Sequence, residues 1–299
     1  MRDTLEENVM VSKLIEKIQK TKAPICVGLD PMLGYIPEHV KEKAFAEFGE
    51  TLEGAAEAIW QFNCAIVDAT ADLIPAVKPQ IAMYEQFGIE GLKAYDRTVK
   101  YCQQKGLIVI GDIKRGDIAK TAEMYAMGHF TGDFEADFVT LAPYMGLDSI
   151  SPYLPYAEKQ GKGMFVLCRT SNGGAKDFEY EKLADGRHVY DLVGDKLNAL
   201  GKDYMGEHGY SSIGLVIGGT HIEEATEIRA KYQDSFFLIP GYGAQGGKAE
   251  DIAQYLTKVN SSRGILLAYK KQPGVAFDEA AYNECVNMKE AIAHACSLL

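Results

Sequence analysis

Leu107-Ile-Val-Ile-Gly-Asp-Ile-Lys-Arg-Gly-Asp-Ile118 joins an apolar strand to a packed cluster of four charges. Side chains of a strand alternate between its two faces, so Asp112 and Lys114 point one way and Ile113 the other. Asp117 follows Gly116, opens a helical pattern and can reach back toward Lys114. The strand reads as buried, and charges at its end cost several kcal/mol each to desolvate unless they are tightly paired. Either the cluster is an ion-pair network that plugs the end of a barrel or sheet, or it does chemistry.

The same strand-then-helix pattern recurs along the chain. Strands are expected near 25–29, 76–81, 107–113, 138–141, 164–169, 213–217, 236–239 and 256–261. Helical patterns lie at 50–71, 87–104, 117–131, 148–160, 186–207, 221–231, 247–254 and 277–297, and an extra amphipathic helix at 8–20 precedes the first strand. Strict alternation implies a parallel sheet, and eight units over this length predict a closed (β/α)8 TIM barrel. A doubly wound open sheet is the competing architecture. No low-complexity linker or shift of composition divides the chain, so residues 1–299 are expected to form one domain.

With 299 residues and 47% hydrophobic content, the chain can bury a large core. The net charge of −11 draws neither nucleic acid nor an anionic membrane, so an anionic substrate must be held by a few local cations. The first 30 residues lack a signal-peptide pattern, and no apolar run approaches a membrane span. Six scattered cysteines (26, 64, 102, 168, 285 and 296) without a C-x-x-C pair fit reduced, largely buried thiols in a cytoplasmic protein. Neither a disulfide framework nor a zinc site is supported. H-E-x-x-H and G-x-S-x-G are both absent.

Polar residues collect where the expected strands end. Asp30 closes the first strand, Lys78 lies within the second, and Asp112 and Lys114 end the third. Ser171 and Asn172 follow the fifth, Gly218-Gly219-Thr220 the sixth, and Pro240–Gly247 the seventh. In a barrel these C-terminal ends meet at one mouth, where active sites are built. Lys78 stands between Val77 and Pro79 and cannot easily carry its ammonium to water. Asp30-Pro31 is also compatible with a plain turn. Tyr84, Tyr144 and Phe178, near the same rim, read as wall packing.

Pro240-Gly-Tyr-Gly-Ala-Gln-Gly-Gly247 has four glycines in eight residues directly before a helical pattern. Such a loop lets backbone N–H groups approach an anion, and a helix N-terminus favours negative charge. Gln245 can donate from its amide, and Arg263 can grip a phosphate in bidentate fashion. Two registers are open for the last strand. If 264–269 is the strand, Arg263 falls at its bottom end. If the strand ends just before Ser262, Arg263 stands at the mouth and 264–269 is a short extra helix. The second is preferred, because a barrel's phosphate site commonly uses the loops after strands 7 and 8 and such a helix.

Taken together, Val27-Gly-Leu-Asp-Pro31, Ala76-Val-Lys-Pro-Gln80, Asp112-Ile-Lys-Arg-Gly-Asp117, Leu238–Gly247 and Ser262-Arg263 resemble the orotidine 5′-phosphate decarboxylase family. The longer, bacterial-type branch is the better match, since this chain carries Asp-x-Lys-Arg-Gly-Asp-Ile and Arg-Thr-Ser-Asn. The likeness runs in order over 10–297, and only the loops 32–50 and 173–188 are unmatched. It implies conversion of orotidine 5′-monophosphate to uridine 5′-monophosphate and CO2, without metal or organic cofactor, in pyrimidine nucleotide biosynthesis. It also implies a homodimer with shared sites, Asp117 and Thr121 entering the neighbouring subunit's site. By the same resemblance Lys114 is the proton donor, flanked by Asp112 and Asp117, and Lys78 and Asp30 meet the ribose hydroxyls. Ser171 is placed on the pyrimidine amide, Gln245 and Arg263 at the phosphate, and Pro240 among the substrate-binding residues.

Two other readings compete. Metal-dependent phosphosugar decarboxylases or aldolases share the strand-3 D-x-K pattern, but they need further carboxylates near strand 2, where this chain offers the cation Lys78. A nucleotide-binding sensor without catalysis is opposed by intact Lys114 and Asp112.

Overall fold

The computed structural model describes residues 9–219, 222–241, 249 and 258–297. Its strands are β1 (Ile25–Leu29), β2 (Ala76–Pro79), β3 (Ile108–Arg115), β4 (Phe138–Leu141), β5 (Gly163–Arg169), β6 (Ser211–Ile217), β7 (Ser235–Pro240) and β8 (Lys258–Ser261). They pair in parallel in chain order, and β8 bonds to β1 as well as to β7, so the sheet curls into an α/β barrel. The open doubly wound sheet is thereby set aside. The helices are α1 (Met10–Thr21), α2 (Glu38–Phe48), α3 (Leu52–Thr70), α4 (Gly88–Gln104), α5 (Ala119–Phe130), α6 (Leu154–Gln160), α7 (Val189–Gly201), α8 (Ile222–Lys231) and α9 (Phe277–Ser297). The helical pattern expected at 247–254 lies outside the described residues, apart from Ala249. Among the described residues no helix is long and apolar enough to cross a membrane.

The two-residue period of the strands sorts their side chains into two cores. Val27, Val77, Val109, Val139, Val166 and Leu215 face outward into the layer shared with the helices. Cys26, Ile108, Ile110, Phe138, Phe165 and Phe236 face the barrel axis. Phe138 stacks on Phe165 with ring centroids 5.2 Å apart, and a Cβ at Gly214 would stand 2.6 Å from the Phe165 ring. Glycine there makes room for the aromatic layer. Val11 and Leu14 of α1 join this inner core, and Met10 N donates to Gly161 O just ahead of β5 at 2.8 Å. Helix α1 therefore stoppers the bottom of the barrel, leaving the other end for polar groups.

The loop 32–50 contains α2, which the sequence pattern left unassigned. Only Val40 and Ala44 of this helix are buried, one turn apart, so its apolar stripe is too thin to stand out. Helix α3 begins where Thr51 Oγ1 accepts from Gly54 N at 3.1 Å, a side-chain cap of the usual kind. Strand β8 ends at Ser261, and a helical turn follows at Arg263–Leu266, so the preferred register is the one found. All six cysteines are free. Burial pushes the thiols of Cys64 and Cys285 up to about 12, which makes them unreactive packing groups.

His129 on α5 is buried beside Phe134, and its Nδ1 has no hydrogen-bond partner among the described residues. Burial, helped by the nearby Arg115 charge, lowers its pKa from 6.5 to about 4. The folded state thus refuses a proton that the unfolded chain takes up, so stability is full above pH 6.5 and falls as the pH drops toward 4. The loss should reach about 3 kcal/mol across that window. Urea unfolding of the parent and His129→Gln at a series of pH values checks this. The variant should lose the slope, and equal slopes in both proteins would refute the assignment.

Candidate active site

At the mouth, the inward face of the strands turns from apolar to charged within one residue pair. On β3 the succession is Ile108, Ile110, Asp112. On β2 it is Ala76, Lys78, and on β4 it is Phe138, Thr140. Register sets the neighbours, since Gly28 of β1 pairs with Lys78, and Gln80 bridges to Asp112. Gly28 is required here, because a Cβ would run into the Ser262 side chain behind Asp30.

Four charges of alternating sign follow one another across three strands. Lys78 Nζ lies 3.9 Å from Asp30 Oδ1 and 2.5 Å from Asp112 Oδ2. The other oxygen of that carboxylate, Oδ1, takes Lys114 Nζ at 2.6 Å and the Thr140 hydroxyl at 2.8 Å. Lys78 and Asp112 are 5% and 4% exposed, whereas the Lys114 side chain is 45% exposed. Burial alone would raise the Asp112 carboxyl, but Lys78 and Lys114 outweigh it and hold the group well below the usual carboxylate range. Burial alone would likewise lower the Lys78 ammonium, and Asp112 with Asp30 reverses that and raises it. The buried cation flanked by two carboxylates is thus Lys78. Lys114 is instead the open end of the array, free on its outer side to meet a bound molecule.

Asp117 does not make the expected reach back to Lys114. Its Oδ1 accepts from Ile118 N at 2.8 Å, and it forms no ion pair among the described residues. The helical pattern also begins later than expected: Ala119 has φ +50°, and α5 begins at Ala119 rather than at 117. Thr121 is exposed on the same first turn. Among the described residues, neither Asp117 nor Thr121 makes a hydrogen bond or ion pair to the charges of its own mouth.

Ser171 follows β5, half-buried, against Gly218, where a Cβ would come within 2.8 Å of Ser171 N. Pro240 ends β7 at the same rim. Gln245 and the rest of the glycine-rich loop from 242 lie outside the described residues. Arg263 opens the helical turn after β8, exposed and without an ion pair to any described residue. Tyr84 packs in the wall as expected, accepting from Asn63 and donating to Leu29 O at 3.2 Å. Tyr144 and Phe178 do not, being 85% and 64% exposed, with ring centroids 6.0 Å apart.

Three further residues shape the site: Thr140 was not marked in the sequence, whereas Ser262 and Arg169 were noted only within the Ser262-Arg263 and Arg-Thr-Ser-Asn motifs, without a role of their own. Thr140 bonds Asp112, and Ser262 donates to Asp30 Oδ2. Arg169, 1% exposed at the end of β5, pairs with Glu224 at 2.7 Å and bonds Tyr180, tying the 173–188 loop to the rim. A lone arginine closing an apolar strand, ahead of Thr170-Ser171, was the available signal for the last.

Comparisons with known proteins bear on this arrangement. Residues 23–268 match the model of the "Orotidine 5'-phosphate decarboxylase / HUMPS family". The orotidine 5′-phosphate decarboxylase of Clostridium perfringens is 54% identical over 96% of this chain and 99% of its own length. That of Clostridium acetobutylicum is 52% identical over 95% and 99%. Among solved structures, a putative orotidine 5′-phosphate decarboxylase from Streptomyces avermitilis superposes with a TM-score of 0.78 at 27% identity, covering 96% of this chain and 95% of that one.

Removing one charge from the array should be costly to the fold. Asp112→Asn leaves two ammoniums side by side and should lose about 3–5 kcal/mol, as for other broken buried pairs. The depressed Asp112 pKa means that its contribution is fully present above the ordinary carboxylate value and is lost only as the pH falls below about 4. The stability gap between parent and variant should therefore stay level from about pH 5 to 9 and narrow in acid. A gap under about 1 kcal/mol in urea at pH 7 would mean that the array adds little to the fold.

Proposed function

The chain belongs to the orotidine 5′-phosphate decarboxylase / HUMPS family, and from that premise we propose that it decarboxylates orotidine 5′-monophosphate to uridine 5′-monophosphate. One observation carries the reading: Asp112 is gripped on both oxygens by ammoniums, one of which, on Lys114, opens outward to the mouth. Loss of CO2 from C6 of the pyrimidine leaves a carbanion whose lone pair lies in the ring plane, beyond delocalisation by the ring. The protein must stabilise it electrostatically, with groups already in place. A unit charge at about 4 Å contributes roughly 4 kcal/mol at an effective dielectric of 20, or about a thousandfold in rate. Lys114 supplies that charge and then the proton to C6. The remaining acceleration falls to binding.

Lys78 and Asp30 hold the ribose hydroxyls, and Ser171 the pyrimidine amide. Pro240 is among the substrate-binding residues, and Gln245 and Arg263 take the phosphate, whose remote binding energy closes the glycine-rich loop over the reacting ring. No metal or organic cofactor enters this mechanism, since Lys78 occupies the place beside Asp112 where a cation would bind. The fold reading that accompanies it is a (β/α)8 barrel of eight full units with α1 added, acting in the cytoplasm.

The working unit in this proposal is a homodimer with shared sites. Ile118, Met124, Met127, Tyr144, Met145 and Phe178 are large apolar side chains left exposed around α5 and the loops after β4 and β5. Monomers seldom expose so much apolar surface together. Asp117 and Thr121 lie in the same stretch of chain as Ile118 and Met124, which supports their completing a neighbour's site in this proposal.

Turnover is read from the loss of orotate absorbance with purified protein. It should proceed unchanged in excess EDTA. Loss on chelation with rescue by Mg2+ would favour a metal-dependent phosphosugar decarboxylase or aldolase instead, and binding without turnover would favour a sensor.

The shared site has its own test. Lys114→Ala and Asp117→Ala, each inactive alone, are mixed at equal concentration and left to exchange subunits. Random pairing makes about half the dimers mixed, and one site in each then has both groups, so about a quarter of all sites recover. No recovery, with exchange confirmed independently, would place Asp117 outside the neighbour's site.

A further inference from the structure

Strand β3 carries an irregularity at the very residues of the array. Gly111 stands opposite Val139 of β4 and Arg115 opposite Leu141, so Asp112, Ile113 and Lys114 together face the single residue Thr140. Extra residues in one strand break the ladder of backbone bonds and re-aim side chains. Lys114 sits in this bulge at φ +44°, a left-handed backbone that side chains other than glycine usually avoid. Such a conformation persists only where its surroundings hold it.

The hold is a side chain. Lys114 N donates to Thr140 Oγ1 at 3.0 Å, in place of a ladder bond. The Thr140 hydroxyl donates in turn to Asp112 Oδ1 at 2.8 Å, and the same oxygen accepts from Lys114 Nζ at 2.6 Å. The contacts close a ring that starts at the backbone of Lys114 and returns to its ammonium. Thr140 is 1% exposed, so no water competes for its hydroxyl, and both of its hydrogen-bonding roles are used. A β-branched side chain adds stiffness at χ1.

We infer that Thr140 is a positioning residue for Lys114, fixing its strained backbone and, through Asp112, the aim of its ammonium. The inference rests on the reading of Lys114 as the proton donor. In this role Thr140 acts through Lys114 and Asp112, and not on the substrate. Its hydroxyl therefore bears on the chemical step and leaves the ribose and phosphate grips alone.

Thr140→Val keeps the shape and removes the hydroxyl, and Thr140→Ser keeps the hydroxyl and removes the methyl. The valine variant should lose kcat by about 30-fold, with KM and the dissociation constant for uridine 5′-monophosphate within about twofold of the parent. Serine should recover most of the turnover. Where valine is not tolerated in the fold, Thr140→Ala should give the same split between kcat and KM. Undiminished kcat in the valine or alanine variant, a matching loss of product affinity, or a serine variant as slow as valine would each overturn the inference. The parent's turnover is measured alongside. An inactive parent rejects the decarboxylase reading itself, whereas an active parent with an unaffected variant rejects only the role of Thr140.

Discussion

Everything at the mouth of this barrel depends on the carboxylate of Asp112 being surrounded. A charge this deeply buried is tolerable only when each oxygen has a strong donor, and here Lys78, Lys114 and Thr140 provide them. Lys78 in turn is tolerable because Asp30 and Asp112 lie on either side of it. Neither lysine nor aspartate would be a sensible core residue alone. As a set they replace the water they have lost with fixed partners, and that is also what a reacting anion needs.

The apolar half of the molecule makes this possible. Below the array the barrel axis is filled by Phe138, Phe165 and Phe236, and α1 seals the far end with Val11 and Leu14. Water is thus kept from reaching the charges from beneath. Long-range order enters through the parallel register, which sets Lys78 beside Gly28 and, with Gln80 bridging to Asp112, brings Asp112 within reach of Lys78. The polar cluster is small because the strands allow only one or two inward positions each above the aromatic layer.

Much of this was legible in the chain. The alternation of Ile108, Ile110, Asp112 on one strand and Ala76, Lys78 on another announces the switch from core to site, and the strand spans needed only small corrections at their ends. What was not legible is what register and direction decide. Thr140 looks like an ordinary strand threonine until the bulge of β3 brings three residues against it. Asp117 follows Lys114 by three residues, but its carboxylate bonds the backbone of Ile118 instead of the lysine. Tyr144 and Phe178 read as wall residues by composition, yet both are largely exposed. Helix α2 escaped notice because a two-residue apolar stripe carries almost no periodic signal.

The contacts at the mouth join neighbouring strands in succession: Ser262 to Asp30 across β8 and β1, Lys78 to Asp112 across β2 and β3, and Lys114 to Thr140 across β3 and β4. The same atoms therefore serve scaffold and chemistry. Sequence drift in such a protein is confined by this double duty. A substitution that adjusts the reactive groups also loosens the ring of strands, and one that would strengthen the ring with apolar residues would erase the charges. The freedom to diversify is left to the outer helices and the projecting loops, where a change touches neither function of the mouth.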